Sequence, residues 1–191
     1  MRPLPRRFYR LDSRELAPLL LNKVLVLGPC RARIVEVEAY GGTDDAGSHA
    51  FRGRTARNAA MFADAGHLYV YFTYGMHWCA NVVAGPAGDP GAVLLRAAAP
   101  VAGLDAMRAR RPTARLDRDL CRGPARLSAA FGIDGRLDGA DLVDRRGPWL
   151  ADDGTPPPSE PGVSRRIGLT RGADHPWRWF VPGDPHRSRP G

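Results

Sequence analysis

Apolar positions first recur at helical intervals after Asp12-Ser13-Arg14-Glu15, which has the spacing of a capping box and leads into Leu19, Leu20 and Leu21. A short helix is expected there, with Pro18 acceptable only in its first turn. The pattern then changes to strands. Residues 23–27 and 31–40 read as one pair around Gly28-Pro29, and 67–74 and 78–83 as a second around Tyr74-Gly75-Met76-His77. Residues 92–98 form a further strand, apolar apart from Arg96. Helices are expected over 101–110 and 122–131, the latter ended by Gly132. A connector over 151–162 with four prolines precedes strand-like stretches at 163–169 and 177–181. Residues 41–57 lack periodicity, and a loop of that length inside a compact domain is usually functional. Strands dominate and no internal repeat is present. The expected class is therefore α+β, as one domain over residues 1–191 with residues 1–10 and 183–191 flexible.

Composition adds exclusions. Hydrophobic residues make up 43% and charged residues 25%, enough apolar material for a core. The longest apolar stretch is cut by Asn22 and Lys23, well short of the ~20 residues of a membrane span. The basic first ten residues lead into no secretory core or cleavage site. Three cysteines without a C-x-x-C pair fit neither a disulfide framework nor a zinc site, and a reducing cytoplasm is expected. The net charge is +8 and Lys23 is the only lysine. Arginine pairs bidentately with phosphate, so a polyanionic partner is one reading, and an arginine-biased solvated surface is the other.

Candidate chemistry concentrates in three places. In Arg33-Ile34-Val35-Glu36-Val37-Glu38-Ala39-Tyr40, alternation puts Val35, Val37 and Ala39 on one face and Glu36, Glu38 and Tyr40 on the other. Taken alone, the second face reads first as solvated. A carboxylate beside an aromatic ring at the mouth of a loop also suits a general base. In the aromatic hairpin, Tyr69 and Tyr71 share a face, and Tyr74 precedes Gly75 at the tip. A ring there has no core to join, and on a basic protein it reads as a wedge for a base step. Arg96 in an apolar strand requires a carboxylate or bound oxygen opposite it. Arg52, Arg54 and Arg57 form a basic loop run suited to phosphate, or simply solvated charge. Asp44, Asp45 and His49 are too loosely spaced for a metal site, so none is expected. His49 reads as a hydrogen-bonding or stacking residue, or a plain loop histidine. No P-loop, G-x-G-x-x-G, H-E-x-x-H or G-x-S-x-G pattern occurs.

These segments together resemble the alkyladenine (3-methyladenine) DNA glycosylase family. The resemblance rests on residues 33–40, Gly47-Ser48-His49, Arg57-Asn58 with Met61-Phe62, residues 68–76, and Val93-Leu94-Leu95-Arg96. It continues through residues 103–108, Leu120-Cys121-Arg122-Gly123-Pro124, Ser159-Glu160-Pro161 and Arg166-Ile167-Gly168-Leu169, covering about residues 16–182. It implies a monofunctional glycosylase that flips damaged purines out of double-stranded DNA, without metal or organic cofactor. A monomer is expected, because a damage search by sliding needs only one basic face. The resemblance also implies a curved antiparallel sheet with flanking helices and a protruding β-hairpin. By position, Glu38 is the base that activates water and Arg96 helps hold that water. Tyr40, His49 and Tyr71 sandwich the base, Asn81 disfavours the guanine amino group, and Tyr74 intercalates. Ala56, Ala59, Ala60, His77 and Trp78 depart from the family pattern, and Arg187-Ser188-Arg189 is unmatched. The alternative from another class is a non-catalytic basic nucleic-acid-binding protein.

Overall fold

A computed structural model of the chain describes residues 1–188. Its spine is a nine-stranded antiparallel sheet curled into a half-barrel. The strands β1 (Arg2–Pro3), β2 (Val24–Leu27), β3 (Cys30–Tyr40), β4 (Leu68–Thr73), β5 (His77–Ala84), β6 (Gly91–Ala102) and β7 (Trp149–Asp152) lie in the order β1-β7-β2-β3-β6-β5-β4. Two short strands, β8 (Gly162–Ser164) and β9 (Arg178–Phe180), add on through β9 to β3. Helices α1 (Arg6–Tyr9), α2 (Ser13–Leu20), α3 (Leu104–Arg110) and α4 (Pro124–Phe131) pack around the sheet, α2 against β3 and β6, α4 against β5 and β6. The main core includes Leu16, Leu20, Ile34, Val37, Leu95, Met107 and Phe131. A smaller cluster of Ala50, Met61, Tyr69, Val83 and Ala92 lies beneath the long loop.

Several boundaries differ from expectation for local reasons. Asp12 does cap α2, accepting from the Arg14 backbone N–H at 2.8 Å, but Pro18 falls near the end of the helix and not in its first turn. There it removes one hydrogen bond from a helix that stops two residues later. The strand expected over 92–98 runs on to Ala102, and the next helix waits until Leu104 because Gly103 takes the left-handed conformation at φ 75°. A Cβ at Gly103 would come within 2.6 Å of the Pro29 carbonyl oxygen. The stretch expected as a strand over 163–169 is extended only to Ser164.

Residues 1–10, expected to be flexible, instead contribute β1, which pairs with β7, and α1, with Leu4 and Tyr9 buried. The expected fraying of 183–191 is likewise corrected as far as Ser188, which is buried and hydrogen-bonded to Glu36. Burial of these apolar and polar groups offsets the entropy of ordering a chain end. The part of that expectation concerning residues 189–191, Arg189 among them, lies outside the described residues.

Candidate active site

Strands β3 and β6 pair along most of their length, but their register slips where the charged residues lie. Ile34 pairs with Ala98, Glu36 with Ala97 and Val37 with Leu95, so Val35 is skipped on β3 and Arg96 on β6. Such irregularities bend a strand and re-aim side chains. The simple alternation expected for this strand is corrected accordingly: Ile34 joins Val37 and Ala39 in the main core. The skipped Arg96 reaches two carboxylates at once. Its Nε donates to Glu36 Oε1 at 3.0 Å and its Nη1 to Glu38 Oε2 at 3.1 Å. The expectation that Arg96 needs a carboxylate opposite it is met twice.

Glu36 and Glu38 do not form a solvated face. Both are fully buried, a placement that requires charges or hydrogen bonds at every lone pair. Glu36 receives Arg96, the Arg178 Nε at 2.8 Å, and the Ser188 hydroxyl and backbone N–H, each at 2.6 Å. Burial pulls its pKa up, but the bonds from Ser188 and Arg178 and the charges of Arg96 and Arg178 hold it below the ordinary carboxylate value. Glu38 accepts the Tyr40 hydroxyl at 3.0 Å on Oε2 and the Ile167 backbone N–H at 2.8 Å on Oε1. Burial, then the Glu38 charge, raise the Tyr40 phenol well above its ordinary value, so it stays a donor.

The long loop is organised by two buried polar residues. Asp45 accepts the Gly41 and Gly47 backbone N–H groups at 3.0 and 2.9 Å and a bidentate pair from Arg166 at 2.5 and 2.8 Å. Asn58 donates to the His49 and Gly53 carbonyls at 2.9 and 3.0 Å. The Arg166 guanidinium also lies 4.8 Å over the Tyr40 ring and 4.9 Å over Trp177, clamping the loop against β3. Asp44 faces outward toward Arg14, so Asp44, Asp45 and His49 are directed to different partners.

Tyr40, His49, Tyr71 and Asn81 line one cavity. With Gly47, Met61, Tyr69, Ala92 and Leu169 they enclose an inner chamber of about 60 Å³. An outer chamber of about 320 Å³ shares Tyr40, His49, Tyr71 and Leu169, and adds Tyr74, Arg96, Pro124 and Ile167. Glu38 lies behind the wall made by its own partners Tyr40, Arg96 and Ile167. The His49 Nδ1 is 2.9 Å from the Tyr69 hydroxyl, and its ring stands edge-on to Tyr71 at 77° and 4.5 Å. Burial, helped by the Arg57 charge, lowers the His49 pKa, leaving the ring neutral at pH 7. The buried Asn81 donates to the Tyr69 carbonyl at 3.1 Å.

Tyr74 stands at the β4–β5 tip, 80% exposed. It and Gly75 both adopt positive φ, 51° and 65°, closed by the Met76 N–H to the Thr73 carbonyl at 3.2 Å. Primed turns of this kind match the twist of a hairpin, yet a bulky residue there is rare and strained. Arg57 braces the same hairpin, bonding the Phe72 carbonyl at 3.1 Å and lying 5.8 Å over the Tyr71 ring. Arg52 and Arg54 are exposed and line neither chamber.

Residue patterns missed Asp45 as a loop anchor, and also Arg166, Ile167, Arg178 and Ser188. Arg166-Ile167 lie inside a segment that carries the family resemblance, which is the one signal available. Nothing near the chain end marks Ser188.

Glu38, fully buried and paired with Arg96, lies behind an aromatic chamber that leads out to the exposed Tyr74 ring, on a protein of net charge +8. A profile of the methylpurine-DNA glycosylases matches residues 7–185, and the chain belongs to that family of DNA glycosylases. Similar proteins carry the provisional name 3-methyladenine DNA glycosylase. One from Burkholderia lata is 54% identical over 189 residues, 98% of this chain and 91% of its own. Another from Streptomyces avermitilis is 48% identical, covering 96% and 89%. A third from Chlorobaculum parvum is 46% identical, covering 98% and 91%. Among the described residues, no helix is long and apolar enough to cross a membrane.

Proposed function

We propose that the protein flips alkylated purines of the 3-methyladenine type out of double-stranded DNA and hydrolyses the N-glycosidic bond, leaving an abasic site for base excision repair. The observation that carries this reading is the Glu38 carboxylate, fully buried directly behind the wall of an aromatic chamber and bonded to Tyr40, Arg96 and Ile167. A module that only binds a polyanion gains nothing from burying two carboxylates there, so the non-catalytic alternative is not favoured.

In this reading Tyr74 fills the gap left by the extruded nucleotide, since unstacking costs a few kcal/mol and base–aromatic stacking is worth about 1–3 kcal/mol. The base enters between Tyr40, Tyr71 and His49. Alkylated purines are cationic, which suits the electron-rich faces of tyrosine rings. Base entry parts the Tyr40–Arg96 wall by the width of one water, which Arg96 holds against Glu38. The C1′–N bond breaks as the purine leaves with the bonding pair, neutralising its own charge. Water adds its oxygen to C1′ of the oxocarbenium-like sugar and gives its proton to Glu38. Asn81 restricts the inner chamber against the guanine amino group, and Arg52, Arg54 and Arg57 meet phosphates. The enzyme acts as a monomer in the cytoplasm, on nucleoid DNA. Its three cysteines are free and buried, which suits a reducing compartment.

The test is single-turnover excision of 3-methyladenine by Glu38→Gln, alongside duplex binding. General-base loss alone is worth about 10²–10⁴-fold, and excision should fall at least that far while binding to damaged duplex is kept. Excision within a few-fold of wild type would remove Glu38 from the reaction.

A further inference from the structure

The outer chamber has a neighbour that the base-excision reading leaves without a role. A cavity of about 530 Å³ adjoins it, and Arg96 and Pro124 line both. Four more arginines, Arg111, Arg115, Arg122 and Arg126, line this second cavity against a single carboxylate, Asp119. Two of them are committed to the fold. Arg111 Nη1 holds the Asp119 and Leu120 carbonyls at 2.5 and 2.7 Å, and Arg122 Nε holds the Arg187 carbonyl at 2.7 Å. The others are not, for among the described residues Arg115 and Arg126 are exposed and enter no ion pair. Burial, then the charge of Arg126, push the Arg111 guanidinium below its ordinary value against the opposing pull of Asp119.

We propose that this arginine-lined cavity seats a backbone phosphate flanking the flipped nucleotide, so that one continuous site takes base, sugar and phosphate in sequence. The inference rests on the base-excision reading and adds to it the place of the phosphate. A nucleotide's base, sugar and phosphate are covalently consecutive. With the base between Tyr40 and Tyr71 and the sugar at the Glu38–Arg96 wall, the phosphate is carried past Arg96 and Pro124. Those are the two residues common to both cavities. Guanidinium forks match phosphate oxygens in charge and geometry, and a seated phosphate would relieve the crowding of Arg111 and Arg126. The site is separate from the Arg52–Arg54–Arg57 run, whose Arg57 braces the hairpin on Tyr71 and Phe72.

The probe is a duplex carrying a tetrahydrofuran abasic analogue, made with ordinary phosphates or with one uncharged methylphosphonate either 5′ or 3′ to the analogue. Arg115→Ala and Arg126→Ala remove exposed side chains and leave the fold intact. Each should weaken binding about two- to five-fold at moderate salt and lower the slope of log affinity against log salt by about 0.9 per lost contact. For one of the two methylphosphonate positions, wild type should show the same loss. There the Arg126→Ala variant should lose nothing further, the non-additivity expected of direct partners. Arg54→Ala, in the other basic run, should stay additive with that same substitution. Additive losses at both positions, or unchanged salt slopes, would overturn the proposal. Excision of 3-methyladenine by wild type from the same sequence is scored separately. Its absence sinks the base-excision reading whatever the phosphates do, whereas its presence with additive losses sinks the phosphate site alone.

Discussion

Asp45→Asn should destabilise the protein strongly while touching no residue proposed to contact substrate. Asp45 is fully buried and each of its oxygens accepts two bonds: Oδ2 from the Gly41 N–H and Arg166 Nη1, Oδ1 from the Gly47 N–H and Arg166 Nη2. An asparagine amide has one accepting and one donating end. Whichever way it turns, its NH₂ meets one backbone N–H and one guanidinium N–H, and Arg166 is left buried without a counter-charge. Breaking a buried pair in this way costs about 3–5 kcal/mol. At about 2–4 °C per kcal/mol for a chain of this size, the midpoint should fall by about 6–20 °C. Lesion binding should weaken as well, because Arg166 lies 4.8 Å over the Tyr40 ring and fixes its outer face. The assay is thermal unfolding followed by circular dichroism, with Asp45→Asn/Arg166→Gln as a companion. If the stranded cation is the main cost, the double variant should be more stable than Asp45→Asn alone. A midpoint within 3 °C of wild type, with unchanged lesion affinity, would refute the clamp.

Tyr74→Ser should leave stability within about 0.5 kcal/mol of wild type, since the ring is 80% exposed, yet reduce the flipped fraction. A fluorescent base analogue beside the lesion reports it, and the loss should shrink for mispaired lesions; unfolding of the variant would place the ring in the core. Asn81→Ala enlarges the inner chamber and should lower the ratio of lesion excision to excision of normal guanine; an equal ratio would make Asn81 a mere support for the Tyr69 carbonyl. Acid should destabilise the fold in two stages. The His49 pKa is lowered on folding, so the unfolded chain binds the extra proton and stability is lost as pH falls below the ordinary value of 6.5. Glu36 and Asp45 are also lowered, and their contribution is lost below their ordinary values of 4.5 and 3.8. Urea midpoints from pH 7 to 3 measure both, and His49→Gln should abolish the first stage only.

Local pattern was sufficient wherever the determinant is local. Apolar and aromatic runs bounded by turn residues located β3 to β6, the Tyr74-Gly75 pair located the hairpin tip, and the ordered motifs from Arg33 to Leu169 carried the family. An arginine amid Val93, Leu94, Leu95 and Ala97 announced that it needed a carboxylate, because a buried guanidinium has few other solutions. What tertiary structure decided was the pairing across distance. Which carboxylates Arg96 reaches depends on register slips at Val35 and Arg96, and strict alternation hides these. Whether Glu36 and Glu38 face water or the interior depends on β9, on the 165–169 segment and on Ser188, far along the chain. Asp45 reads as a loop acid until Arg166, 121 residues later, is folded over it. The termini read as loose because chain ends usually are. Residues 1–10 are held because β1 completes a sheet edge against β7, and the chain as far as Ser188 is held because Ser188 bonds both oxygens of Glu36, contacts that no window of neighbouring residues contains.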